Sequence, residues 1–75
     1  MLKHLKTGKL YMIKKTIRTA GGQIRRNEFI IFIKLDKKET LSLATVLHKG
    51  KIIKIGWMQP DCENESILSG SEEIS

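Results

Sequence analysis

At 75 residues the chain has room for one small domain with a modest core, which excludes an elaborate catalytic cleft. It is 40% hydrophobic with only Tyr11, Phe29, Phe32 and Trp57 as aromatics, so a globular, mostly aliphatic core is expected. The net charge of +6 conceals a division: residues 1–58 hold all 14 Lys and Arg against three acids (+11), whereas residues 59–75 hold five acids and no base (−5). A single cysteine, Cys62, excludes an internal disulfide and a multi-cysteine zinc site, which suits a reducing compartment. No apolar run approaches the roughly 20 residues that span a bilayer. Met1 to Lys6 have no apolar signal core behind them, so a soluble, unprocessed cytoplasmic protein without membrane contact is expected.

Residues 1–8 form a basic lead in which Leu2 and Leu5 fit either one helical turn or packing across the end of a barrel. Leu10 to Arg18 is rich in β-branched and aliphatic residues and reads as a strand, with no alternation in Leu10-Tyr11-Met12-Ile13 to mark its buried face. Ala20-Gly21-Gly22-Gln23 is a turn. A two-residue Gly21-Gly22 loop would set Arg18 opposite Arg25, an unfavourable like-charge pair. Either this arm is irregular and its arginines fan into water, or an anion lies between them. Phe29 to Leu35 is the strongest strand, with Phe29, Ile31, Ile33 and Leu35 on one face and Ile30 and Phe32 on the other. Apolarity on both faces predicts a central, curved strand covered twice. Asp36 to Glu39 reads as a polar connection.

Thr40 to Trp57 reads as one hairpin. A two-residue Lys49-Gly50 loop would pair Val46 with Ile53 and mix polar and apolar side chains on both faces. A three-residue loop His48-Lys49-Gly50, with Gly50 in a bulge at positive φ, instead gathers Leu41, Leu43, Thr45, Leu47, Ile53, Ile55 and Trp57 on one face. That register is expected. The core set is then Ile13, Ile17, Phe29, Ile31, Ile33, Leu41, Leu43, Ile53 and Ile55. Met58 to Asp61 is a turn with Pro60 ending the ladder. Residues 59–75 are expected to form a flexible, acidic, Ser-rich tail, unless a partner or the basic surface of the body holds it.

Ile24-Arg25-Arg26-Asn27-Glu28 leading into Phe29-Ile30-Ile31-Phe32 resembles the SH3-like segment in which an apolar residue, two bases, a Gly and an acid enter the second strand. Asn27 stands where that pattern has Gly, and Asn also visits positive φ. The resemblance covers roughly residues 8–58. It implies an all-β, small SH3-like five-stranded barrel over residues 9–58, with Ile17 to Arg26 as a long arm, Leu35 to Glu39 as the next loop and His48-Lys49-Gly50 as the distal hairpin. The peptide-binding signature departs sharply: the Ala-Leu-Tyr-Asp-Tyr run and the aromatic groove are missing, and the arm is basic. The small, Lys- and Ile-rich build also resembles accessory proteins of tailed phages, which would place it in a host cytoplasm or a virion.

Catalytic signatures are lacking. His4 and His48 have no carboxylate spaced to orient them and read as surface residues, and no metal-ligand spacing is present. Cys62 lies among Asp61, Glu63 and Glu65, whose charges disfavour a thiolate. Gly21-Gly22 lacks the Gly-Lys-Ser/Thr ending of a phosphate loop. A non-catalytic, cofactor-free binding module is therefore expected. Lys14, Lys15, Arg18, Arg25 and Arg26 are its candidate nucleic-acid contacts, because guanidinium and ammonium groups clustered on one arm suit backbone phosphates. The alternative is a protein–protein adaptor or structural subunit, with a homo-oligomer among its forms. It would act through Ile30, Phe32, Val46 and Ile52 if these apolar residues share the outer face.

Overall fold

A computed structural model describes residues 5–19, 21–58 and 62–74. Among them the order is β1 (Leu10–Met12), β2 (Ile17–Thr19), β3 (Gly22–Ile24), β4 (Phe29–Lys38), β5 (Leu41–His48), β6 (Lys51–Met58), α1 (Glu63–Ser69) and β7 (Glu72–Glu73). The strands form a five-stranded antiparallel sheet in the order β6-β5-β4-β1-β7 and a separate two-stranded sheet, β2-β3. The fold is predominantly β, but its ladders do not close into one five-stranded ring. β2 packs against β6 and α1 and so lays the small sheet over the large one.

The expected Leu10–Arg18 strand is broken in two. Ile13 N–H donates to Glu28 O at 2.8 Å and Ile13 O accepts from Asn27 N–H at 2.7 Å, which pins the chain to the turn before β4 and bends it at Lys14 and Lys15. Asn27 has φ 73°, the positive value foreseen at that position. β4 runs on through the expected polar connection to Lys38, and the turn is Glu39-Thr40. Its register shifts between Phe32, opposite Val46, and Lys34, opposite Thr45, so Ile33 is the extra residue of a bulge that bends the strand.

The β5–β6 hairpin takes the two-residue loop. Lys49 and Gly50 have φ 52° and 77°, the two positive values of a type I′ turn, and His48 pairs with Lys51. This overturns the three-residue register and moves every β5 side chain to the other face. Ala44, Val46 and His48 point inward with Ile53, Ile55 and Trp57. Leu41, Leu43 and Leu47 share the outer face with Ile52 and Met58. The clean separation of polar from apolar was the wrong criterion, because the sheet is apolar on both faces. Of the expected core, Ile13, Ile17 and Ile55 are fully buried and Ile53 packs against them. Phe29 is 49% exposed, and Ile31, Ile33, Leu41 and Leu43 are only half-buried.

The acidic C-terminal segment is part of the body and not a flexible tail over its described residues. Ile67 and Leu68, neighbours on α1, enter the core, Leu68 completely. Glu63 and Glu65 lie in the first turn, where the helix dipole favours negative charge. Gly70 N–H donates to Ser66 O, and the Ser71 hydroxyl donates to Leu68 O at 2.6 Å, turning the chain toward β7, which pairs with β1. Lys14 also holds Glu72 at 2.9 Å, so the basic body grips the acidic segment. At the other terminus Leu5 joins the core, while residues 1–4 lie outside the described residues; of the turn expected at Met58 to Asp61, Met58 is the last residue of β6 and residues 59–61 lie outside the described residues. Truncating Leu68 to Ala should lower stability by about 2–5 kcal/mol, because the cavity opens in the main core. Urea unfolding measures this, and a loss below about 1 kcal/mol would mean that the segment is not part of that core.

Candidate functional site

The β2–β3 arm is a regular hairpin. Its register is Ile17 opposite Ile24, Arg18 opposite Gln23 and Thr19 opposite Gly22. The loop therefore lies one residue earlier than the Gly21-Gly22 expected, and the Arg18–Arg25 clash does not arise; Ala20 is outside the described residues. Ile17 and Ile24 are both fully buried and anchor the arm, which leaves the intervening polar residues facing outward.

Outward of this anchor, Lys14, Lys15, Thr16, Arg18, Gln23 and Arg26 line an open groove of about 670 Å³, closed on its far side by Glu63 and Asn64 at the start of α1. Four of the five basic residues singled out in the sequence thus meet in one place. Arg25 does not: it is exposed outside the groove lining, and its N–H donates to Glu28. Asn64 fixes the wall by donating from Nδ2 to Gly56 O at 2.8 Å and reaching Arg18 O at 3.5 Å, joining α1 to both β6 and β2. Past Arg18, Glu63 and Asn64 the groove continues into an apolar lobe of about 570 Å³ lined by Leu41, Gly56, Trp57 and Met58. Trp57 is 6% exposed, too buried to stack a base, whereas Met58 is 54% exposed.

Glu63 and Asn64 were not foreseen as site residues, because the segment that carries them reads as a tail. Their only signal was the adjacent Ile67-Leu68 pair, enough to anchor a short helix. The proposed outer patch dissolves: Ile30, Phe32 and Val46 are 1%, 6% and 0% exposed and belong to the core, and only Ile52, at 62%, is on the surface. Among the described residues no group of three or more His, Cys, Asp or Glu side chains is placed to hold a metal, and no helix is long and apolar enough to cross a membrane.

A second polar cluster ties the two turns of the large sheet together. His48 is not a loop residue but the last of β5, 7% exposed, with Nε2 3.2 Å from Glu28 Oε1. Glu28 also accepts from Lys49 Nζ at 2.6 Å and from Arg25 N–H at 2.7 Å. The Lys49 ammonium first, then the Arg25 amide, lower its pKa from 4.5 to about 2. The folded value lies below the unfolded one. The stabilisation is therefore complete above about 4.5 and is lost as pH falls toward 2. Glu28→Gln should remove this component, so the stability of variant and wild type should converge as the solution is acidified. Parallel urea-unfolding stabilities across that window would contradict the clamp.

Comparison with protein-family models, with curated proteins and with solved structures finds no match to this chain.

Proposed function

We propose that this chain is a non-catalytic SH3-like binding module that takes nucleic-acid backbone phosphates in the groove between the β2–β3 arm and α1. The fold part of this reading rests on chain order. A first strand, an arm, a three-strand meander, a short helix and a last strand returning to pair with the first is the order of an SH3-like barrel, and β2 against β6 stands where such a barrel closes. The functional part rests on one observation, the convergence of Lys14, Lys15, Arg18 and Arg26 on a single groove. Two long ammonium and two planar guanidinium groups along one open channel suit a row of phosphates better than any single small anion.

The same geometry implies weak sequence preference. Phosphate contacts position a strand without reading it, and the apolar lobe offers no free aromatic face. Glu63 in the wall and Glu72 on Lys14 lower the positive potential of the groove, so a polyanion has to displace or outweigh them. Four neutralised phosphates give a slope of log affinity against log salt of about −3.6 on duplex DNA and about −2.8 on a single strand.

Titration of short DNA and RNA against salt tests the reading. Arg26→Ala should weaken binding and reduce the duplex slope by about 0.9, Glu63→Gln should strengthen it, and Arg25→Ala, outside the groove, should leave the slope unchanged. No binding at low salt would reject the proposal, and equal effects of Arg25 and Arg26 would reduce it to unspecific surface charge.

A further inference from the structure

The channel beside the arm changes chemistry along its length. In the groove, Lys14, Lys15, Arg18 and Arg26 supply positive charge. Beyond Glu63 and Asn64, the lobe of about 570 Å³ is lined by Leu41, Gly56, Trp57 and Met58, and among the described residues Arg18 is the one base on its wall. The two cavities form one channel, because Arg18, Glu63 and Asn64 line both. The lobe includes the last rung of the β5–β6 ladder, where Leu41 is opposite Met58. Its walls are held in place: Asn64 donates to Gly56 O at 2.8 Å and fixes the start of α1 to β6, and Trp57 is rooted in the core. Met58, 54% exposed, presents an apolar side chain that the fold itself leaves uncovered.

A ligand that follows this channel has to be charged along the groove and uncharged in the lobe. Phosphates running on past Arg18 would lose water against Leu41 and Met58 with one cation to replace it, at a large desolvation cost. Glu63, at the junction, repels a phosphate there and does not repel a neutral ring. A nucleobase meets both conditions, since it is flat, uncharged at neutral pH and one sugar away from its phosphate. We infer that the lobe takes an unpaired base of the strand whose phosphates lie in the groove, so that the site selects single-stranded nucleic acid over duplex; this rests on the phosphate-binding reading of the groove. Arg18, exposed on β2 and lining both cavities, offers the base its planar guanidinium face while Lys14, Lys15 and Arg26 take the phosphates. Leu41 and Met58 supply the apolar contact that an aromatic ring supplies in many single-strand sites. The lobe falls within the roughly 300–1,000 Å³ of small-ligand pockets, room enough for one base and its sugar. A duplex cannot fill it without unpairing and unstacking a base. Contact of this kind falls on the faces of the ring, which every base has, so sequence preference stays weak.

Binding of the full chain at low salt to three probes tests the inference: a short oligothymidylate, the same backbone without bases, and the oligothymidylate annealed to its complement. All three present phosphates, and only the first presents unpaired bases. The oligothymidylate should bind at least about fivefold more tightly than the bare backbone, and more tightly than the duplex. Met58→Ser, at an exposed site, and Arg18→Lys, which keeps the charge and removes the planar face, should each cut the preference for base-bearing strand by about half or more. Arg26→Ala should instead lower the affinity for all three probes together. Equal affinity for oligothymidylate and bare backbone would overturn the base pocket and leave the groove reading standing, and tighter binding of the duplex would overturn the selectivity. A preference unchanged by Met58→Ser would overturn the lobe as the site of the base. Binding to none of the probes would overturn both readings.

Discussion

The rest of the structure depends on the tight turn at Lys49-Gly50. Two successive residues at positive φ close the hairpin with the right-handed twist of its strands, and they fix which side chains of β5 enter the core. A shift of one residue would send Ala44 and Val46 outward and Leu43 and Leu47 inward, exchanging small side chains for large ones in a core already filled by Ile30, Phe32, Ile55 and Trp57. Lys49 pays its left-handed conformation with no glycine, and it lies where its ammonium meets Glu28. Glu28 in turn holds the Arg25 amide, so the turn that sets the sheet register also steadies the base of the arm.

From that register follows a sheet with two apolar faces. The inner one, which includes Tyr11, packs with Ile13 and the arm residues Ile17 and Ile24, and it is completed from the C-terminal segment by Ile67 and Leu68. A chain this small buries enough surface only by using every segment it has. That explains why a stretch with five acids and few apolar residues is recruited as a helix and an edge strand. The bulge at Ile33 bends β4 so that one long strand serves both the meander and the pair with β1.

Much of the architecture was legible in the residues. The strand at Phe29, the hairpin after Thr40, the arm with its glycines and the positive φ of Asn27 all follow from local pattern and turn chemistry. The register did not, and the reason is physical. Alternation identifies the buried face only when the other face is polar, whereas here Leu41, Leu43 and Leu47 compete with Ala44 and Val46 for the inside. The smaller set wins because the turn and the packing opposite β5 favour it. The C-terminal helix was hidden by composition, since two buried residues suffice once a core exists to receive them. Lys14, Lys15, Arg18 and Arg26 were visible as a cluster, but their convergence on one groove, and the exclusion of Arg25, depend on the bend at Ile13 and on α1.

The site that results is electrostatically mixed: four bases line the groove, Glu63 stands in its wall, and Glu72 is already paired with Lys14. On the proposed reading, a ligand carrying several charges at regular spacing would outweigh the built-in carboxylates along the channel where an isolated anion would not. The most direct measurement is an amide-shift map of the full chain titrated with a short single-stranded oligonucleotide. The account predicts shifts centred on Lys14, Lys15, Thr16, Arg18, Gln23, Arg26, Glu63 and Asn64, with Ile31, Leu47 and Ile52 unmoved. Shifts centred on the outer sheet face, or none at all at low salt, would contradict it.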